Sequence, residues 1–138
     1  MVTRQVKISL KQFTPAWDNS WIICRAMTFK ESIDFDKEVS KAQYDLQRAS
    51  RKLDAIKREL EVVETDEKLT EESRYIKQIE NYSNKIFDKI FDSVEKSFIS
   101  GSIFDEVQRD MKKEDIKMFD KEVYQYIIKH IKGDVEKK

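Results

Sequence analysis

From Val39 to Val63 the apolar residues fall at separations of 3, 4, 3, 4, 3, 4 and 3, through Ala42, Leu46, Ala49, Leu53, Ile56 and Leu60. This is an unbroken heptad seam over about three and a half repeats, the pattern of a helix that packs along one narrow stripe. No strand or loop arrangement places residues so spaced on one face, so this part of the chain must be a long helix with a partner. Just ahead of it, Thr28 and Glu31 stand at the spacing of a capping box, which predicts a helix start there. A helix from 29 to 64 is about 54 Å long at 1.5 Å per residue.

The partner is expected from the same chain. After a polar stretch, Thr65 to Glu72, read as a loop with Thr70 as N-cap and two acidic residues in the first turn, a second helical stripe appears. Ile76, Ile79, Ile86, Ile90 and Val94 form it, and Tyr82, Phe87, Phe91 and Phe98 widen it. A short connection favours an antiparallel helical hairpin. A dimeric coiled coil through the same seam is the competing reading.

Only Pro15, Gly101 and Gly133 punctuate the chain. Folds rich in tight turns draw heavily on these residues, so a mainly helical protein is favoured. Before the long helix, Val6, Ile8 and Leu10 alternate with Lys7, Ser9 and Lys11, a period of two. Trp21 to Arg25 reads as a second strand across the turn at Pro15. Two strands alone are marginal in water and need a helix or another chain's sheet. Beyond 99, Gly101 is expected at a helix C′ position and Ser102 at the next N-cap. That predicts a short helix through Ile103, Phe104, Val107 and Met111. A last helix would carry Ile116, Phe119, Val123, Tyr126, Ile127 and Ile131 and stop near Gly133. The expectation is thus a mainly α single domain over residues 1–138. A β-hairpin head occupies 1–27, a long antiparallel helical hairpin 28–99 and two shorter C-terminal helices 102–133, and a frayed tail follows over 134–138.

The same scarcity limits the chemistry. With one His (His130) and one Cys (Cys24), a Cys/His zinc site cannot be assembled from one chain, and two isolated glycines make no phosphate loop. His130 has no visible catalytic partner, and Cys24 reads as a small buried hydrophobe. Paired carboxylates such as Glu71-Glu72 are explained first by helix starts. No catalytic, cofactor or metal residues are expected, and the chain is not expected to be an enzyme. No apolar run approaches a membrane span and no signal segment leads the chain, so a cytoplasmic location is expected.

Charge is balanced, 27 basic against 27 acidic, but residues 1–30 hold five basic groups and only Asp18 on the acidic side. Lys117, Lys121, Lys129 and Lys132 on the last helix would suit a DNA-binding helix-turn-helix. Interleaved Asp115, Asp120, Glu122 and Asp134 make that the weakest reading. The candidate self-association or client surface is therefore the hairpin, through Val6, Ile8, Leu10, Trp17, Trp21 and Ile23, with the heptad residues as the candidate helical seam. Aromatic residues such as the two tryptophans are common interface anchors.

The run Trp21-Ile-Ile-Cys-Arg-Ala-Met-Thr-Phe-Lys-Glu31, the charged helical body, Phe98-Ile-Ser-Gly101 and a final amphipathic helix closing at Lys132-Gly133 resemble the small tail-assembly chaperones of long-tailed (siphovirus-type) bacteriophages of Gram-positive hosts. The heptad segment 39–63 departs from that family's pattern. The resemblance implies a binding protein of the host cytoplasm that coats the hydrophobic helical tape-measure protein before the tail tube polymerises. It also implies a homo-oligomer, a ring or a spiral. A helical homodimeric adaptor or scaffold without a client is the alternative.

Overall fold

A computed structural model describes residues 4–133; the tail expected over 134–138 lies outside them. The chain is mainly helical, with an N-terminal β-hairpin, two long helices packed together and a short C-terminal helix. In order these are β1 (Gln5–Ser9), β2 (Trp21–Arg25), α1 (Phe29–Val62), α2 (Asp66–Ser97), β3 (Phe98–Asp105), β4 (Val107–Asp110) and α3 (Lys121–Lys132). Single 3-10 segments cover Pro15–Trp17 and Lys113–Met118. The expected single domain is organised as two compact units. Among the described residues one comprises 4–33 and 90–133; the other is Asp34–Lys89.

The second unit is the helical hairpin. Ala42, Ala49, Leu53 and Ile56 are buried along the seam and Val39, Leu46 and Leu60 are half-buried. The stripe is thus filled within the chain, with a Glu38–Lys89 ion pair of 3.0 Å and Lys52 over the Tyr75 ring. Val63 is the exception: it lies one residue past the helix end and is exposed. The loop is shorter than its polarity suggests. Thr65, not Thr70, caps α2 by accepting the Lys68 amide at 3.2 Å. Thr70 sits inside the helix and donates back to the Asp66 carbonyl at 2.9 Å. Polar residues here are a solvated first turn rather than a break, and Asp66 and Glu67 supply the acidic charge that a helix start favours.

The capping box at Thr28 forms as expected. The Glu31 amide donates to Thr28 Oγ1 at 3.1 Å and the Thr28 amide to Glu31 Oε1 at 3.0 Å.

The first unit corrects the C-terminal reading. Residues 102–111 are not a helix but the arms of a second hairpin, in an antiparallel sheet of order β1-β2-β3-β4. Gly101 and Ile103 are buried while Ser100, Ser102 and Phe104 face the other way, a period of two that the helical spacing of Ile103, Val107 and Met111 masked. The physical cause is β2. Its residues are buried or half-buried, so its backbone N–H and C=O groups need partners on both edges, and β3 supplies the second edge through Trp21↔Ser102, Ile22↔Gly101 and Ile23↔Ser100. Gly101 therefore serves a different purpose from helix capping. A Cβ there would lie 2.9 Å from the Trp21 carbonyl oxygen, so only glycine lets the strands approach. The tight connection instead puts Glu106 at φ 64. Without a helix at 102–111, the helix-turn-helix reading loses its first helix.

One face of this sheet carries the core. Ile8, Leu10, Ile22, Cys24 and Ile103 are buried, as are Val123, Tyr124, Ile127, Ile128 and Ile131 of α3. Ile116 and Phe119, expected in the last helix, belong to the preceding 3-10 segment and its end. The Tyr124 hydroxyl donates to the Ile116 carbonyl and ties the two together. Gly133 closes α3 at φ 81, the left-handed cap expected of it.

Candidate functional site

The alternation that buries one sheet face exposes the other. Val6 pairs with Cys24 and Ile8 with Ile22, which fixes these residues on the core side. Lys7, Ser9, Trp21, Ile23, Arg25, Ser100, Ser102, Phe104, Gln108 and Asp110 then share the opposite face by register. Lys7, Ser9, Phe104, Gln108 and Asp110 are exposed; Trp21, Ile23 and Arg25 are half-buried.

This separates the expected surface residues into two sets. Trp21 and Ile23 lie on the open face. Val6, Ile8 and Leu10 do not: Ile8 is 1% and Leu10 0% exposed, so these two hold the fold and are not a contact surface, and Val6 is half-buried on the same side. Lys7 and Ser9 are the residues that β1 turns to solvent. Trp17 is half-buried, edge-on to Phe119 with centroids 5.6 Å apart, and belongs to the rim of the core.

The open face has a defined polarity. Lys7 Nζ stands 4.7 Å above the Trp21 ring, a cation–π contact across β1 and β2. A shallow hollow of about 540 Å³ opens beside it, lined by Lys7, Ser9, Asp18, Asn19, Ser20 and Trp21. At the other end Arg25 forks onto Glu31, with Nη1 to Oε1 at 3.0 Å and Nη2 to Oε2 at 2.8 Å. The guanidinium and the Thr28 amide together hold the Glu31 carboxyl at about 2. Phe104, 39% exposed, extends the apolar strip of Trp21 and Ile23 onto β3.

A second fork fixes β4. Arg109 Nη2 and Nη1 contact the two Asp115 oxygens at 2.7 and 2.8 Å, and Asp115 also accepts the Lys112 amide at 2.7 Å. Asp115 is held at about 2, chiefly by the guanidinium hydrogen bonds. Neither fork was read from sequence, because each joins residues six apart across a break in secondary structure.

The groups singled out for chemistry are structurally occupied. Burial pushes the Cys24 thiol up to about 11, so the nucleophilic thiolate is disfavoured. His130 Nδ1 lies 2.9 Å from the Tyr126 carbonyl and its ring packs on Tyr126. Among the described residues no cluster of His, Cys, Asp or Glu could hold a metal ion, and no helix is long and apolar enough to cross a membrane. Comparison with protein-family models, with curated proteins and with solved structures finds no match.

Proposed function

We propose that this chain is a non-enzymatic tail-assembly chaperone of a long-tailed phage, working in the cytoplasm of a Gram-positive host on the hydrophobic helical tape-measure protein. The observation that supports it is the open sheet face. A sheet with one face under α3 leaves Trp21, Ile23 and Phe104 as an apolar strip on the other, bordered by Lys7 and Arg25. An apolar helix is what such a face receives: α3 on the opposite side buries Val123, Tyr124, Ile127, Ile128 and Ile131. A client helix laid on the open face would complete a three-layer arrangement and remove both apolar surfaces from water, at about 25 cal/mol per Å² buried. The aromatic anchor Trp21 supplies area at small entropic cost. Self-assembly of the chaperone belongs to the same proposal, since a long client needs many copies.

A homodimer formed as a coiled coil through the heptad seam would need that seam free for a second chain. The seam is filled within the hairpin, so an adaptor dimer would have to use another surface of the hairpin. The test is co-expression with the phage's tape-measure protein. A soluble client that co-purifies with this chain is expected, and Trp21→Ser should return the client to the insoluble fraction. A client equally insoluble with and without this chain rejects the proposal.

A further inference from the structure

β1 and β4 are the two outer strands of the sheet; among the described residues β1 pairs only with β2 and β4 only with β3, so each has one edge without a strand partner. Their free backbone groups can be assigned. The Ala26 amide donates to the Arg4 carbonyl and the Leu10 amide to the Ser20 carbonyl, so the even residues of β1 bond inward and Gln5, Lys7 and Ser9 point outward. The Met111 amide donates to the Gly101 carbonyl, so Arg109 and Val107 bond inward to β3 and Gln108 and Asp110 point outward. The Asp110 carbonyl already accepts from Arg109, leaving its amide and both Gln108 groups.

The two edges are opposite in charge. Residues 4–11 carry Arg4, Lys7 and Lys11 and no acidic group, for +3. Residues 105–110 carry Asp105, Glu106 and Asp110 against Arg109, for −2. They also match in direction. All three pairings in the sheet are antiparallel and the strand count is even. The β1 of a second copy in the same orientation therefore runs antiparallel to β4. We infer that β4 of one copy pairs with β1 of the next, head to tail, with Lys7 opposite Asp110 and Ser9 opposite Gln108 on the open face. Joining β1 to β1 at full overlap would set Lys7 against Lys7, and joining β4 to β4 would bring together two edges of net −2, so charge favours the asymmetric contact. Such a contact is heterologous: it repeats until a ring closes or continues as a filament. The sheet so extended aligns the Trp21, Ile23 and Phe104 strips of successive copies. This deepens the self-assembly part of the function proposed above and names its surface.

Sedimentation velocity on the purified chain, without client, tests it. Wild type should grow beyond a dimer with concentration, and added salt should weaken that growth. Lys7→Glu and Asp110→Lys should each weaken association by about tenfold, the scale of exchanging an attractive cross-strand pair for a repulsive one. The double exchange should restore it. Circular dichroism and tryptophan fluorescence confirm that each variant is folded. A synthetic peptide of residues 4–11, added in excess to wild type, should cap β4 and dissolve the assemblies, which keeps the test independent of variant folding. A wild type that stays monomeric, one that stops at a dimer, single exchanges that assemble like wild type, or a peptide without effect overturns the inference. The client co-expression result stands or falls separately, because no client is present here.

Discussion

Gly101→Ala tests the fold where sequence and structure part most sharply. The added Cβ would sit 2.9 Å from the Trp21 carbonyl oxygen and 3.1 Å from both Cβ and Sδ of Met111. The methionine sulfur can swing aside. The Trp21 oxygen cannot, because it belongs to a central strand bonded on both edges. Relieving the contact means moving β2 and β3 apart by a few tenths of an ångström, and overpacking of this kind costs about 1–3 kcal/mol. Replacing glycine also reduces the freedom of the unfolded chain, a gain of about 0.4–1 kcal/mol. The net expectation is a loss of about 1–2 kcal/mol. Both tryptophans, Trp17 and Trp21, lie in the first unit, so their fluorescence in urea reports it selectively. The midpoint should fall with an unchanged slope. Gly133→Ala is the control: nothing lies closer than Arg4 Nη2 at 3.7 Å, and the cost there is the positive φ alone, about 1 kcal/mol. If Gly101→Ala unfolds at the wild-type midpoint or above it, β2 and β3 do not approach as described.

Leu53 sits at the centre of the filled seam, and Leu53→Asp should cost several kcal/mol, lowering the urea midpoint followed by far-ultraviolet circular dichroism; a wild-type midpoint would mean the residue is exposed. Asp115 is held at about 2 against an ordinary 3.8, so its stabilisation is complete above pH ~4 and is lost as pH falls through about 2. Asp115→Asn should flatten the fall in stability of the first unit between pH 4 and 2, while Glu31, held equally low, preserves part of the slope. An unchanged acid profile refutes the Arg109 fork. Cys24 should react with iodoacetamide at pH 8 only as the first unit opens, so its labelling rate should rise with urea in step with the fluorescence transition. Labelling of the folded protein at the rate of a free thiol contradicts its burial.

The long-range order of this fold was legible where a period repeats often enough to leave no alternative. The seam from Val39 to Leu60 needed no tertiary information, and the Thr28–Glu31 box and the Gly133 cap are local chemistry. Residues 98–110 were not legible because the same apolar residues fit two periods over a short span. What decides between them is the unpaired edge of β2, eighty residues away in sequence. The role of the apolar residues of β1 is ambiguous in sequence for a related reason. Val6, Ile8 and Leu10 are the apolar set, and an apolar set on a strand can mark either a core or a contact surface. Only the placement of α3 decides, and it takes that face. Phe104 as part of the open strip, and the two arginine forks, depend on the same missing sheet.

The proposed function requires the open sheet face to receive an apolar helix, and Trp21 is a natural reporter of that event. Trp17→Phe keeps an aromatic ring against Phe119 and leaves Trp21 as the sole tryptophan. Its emission should be followed while a helical segment of the tape-measure protein is added. A saturable shift to shorter wavelength, as the half-buried ring is covered, is the predicted result. Binding of the segment with the Trp21 emission unmoved, or no binding at all, contradicts it.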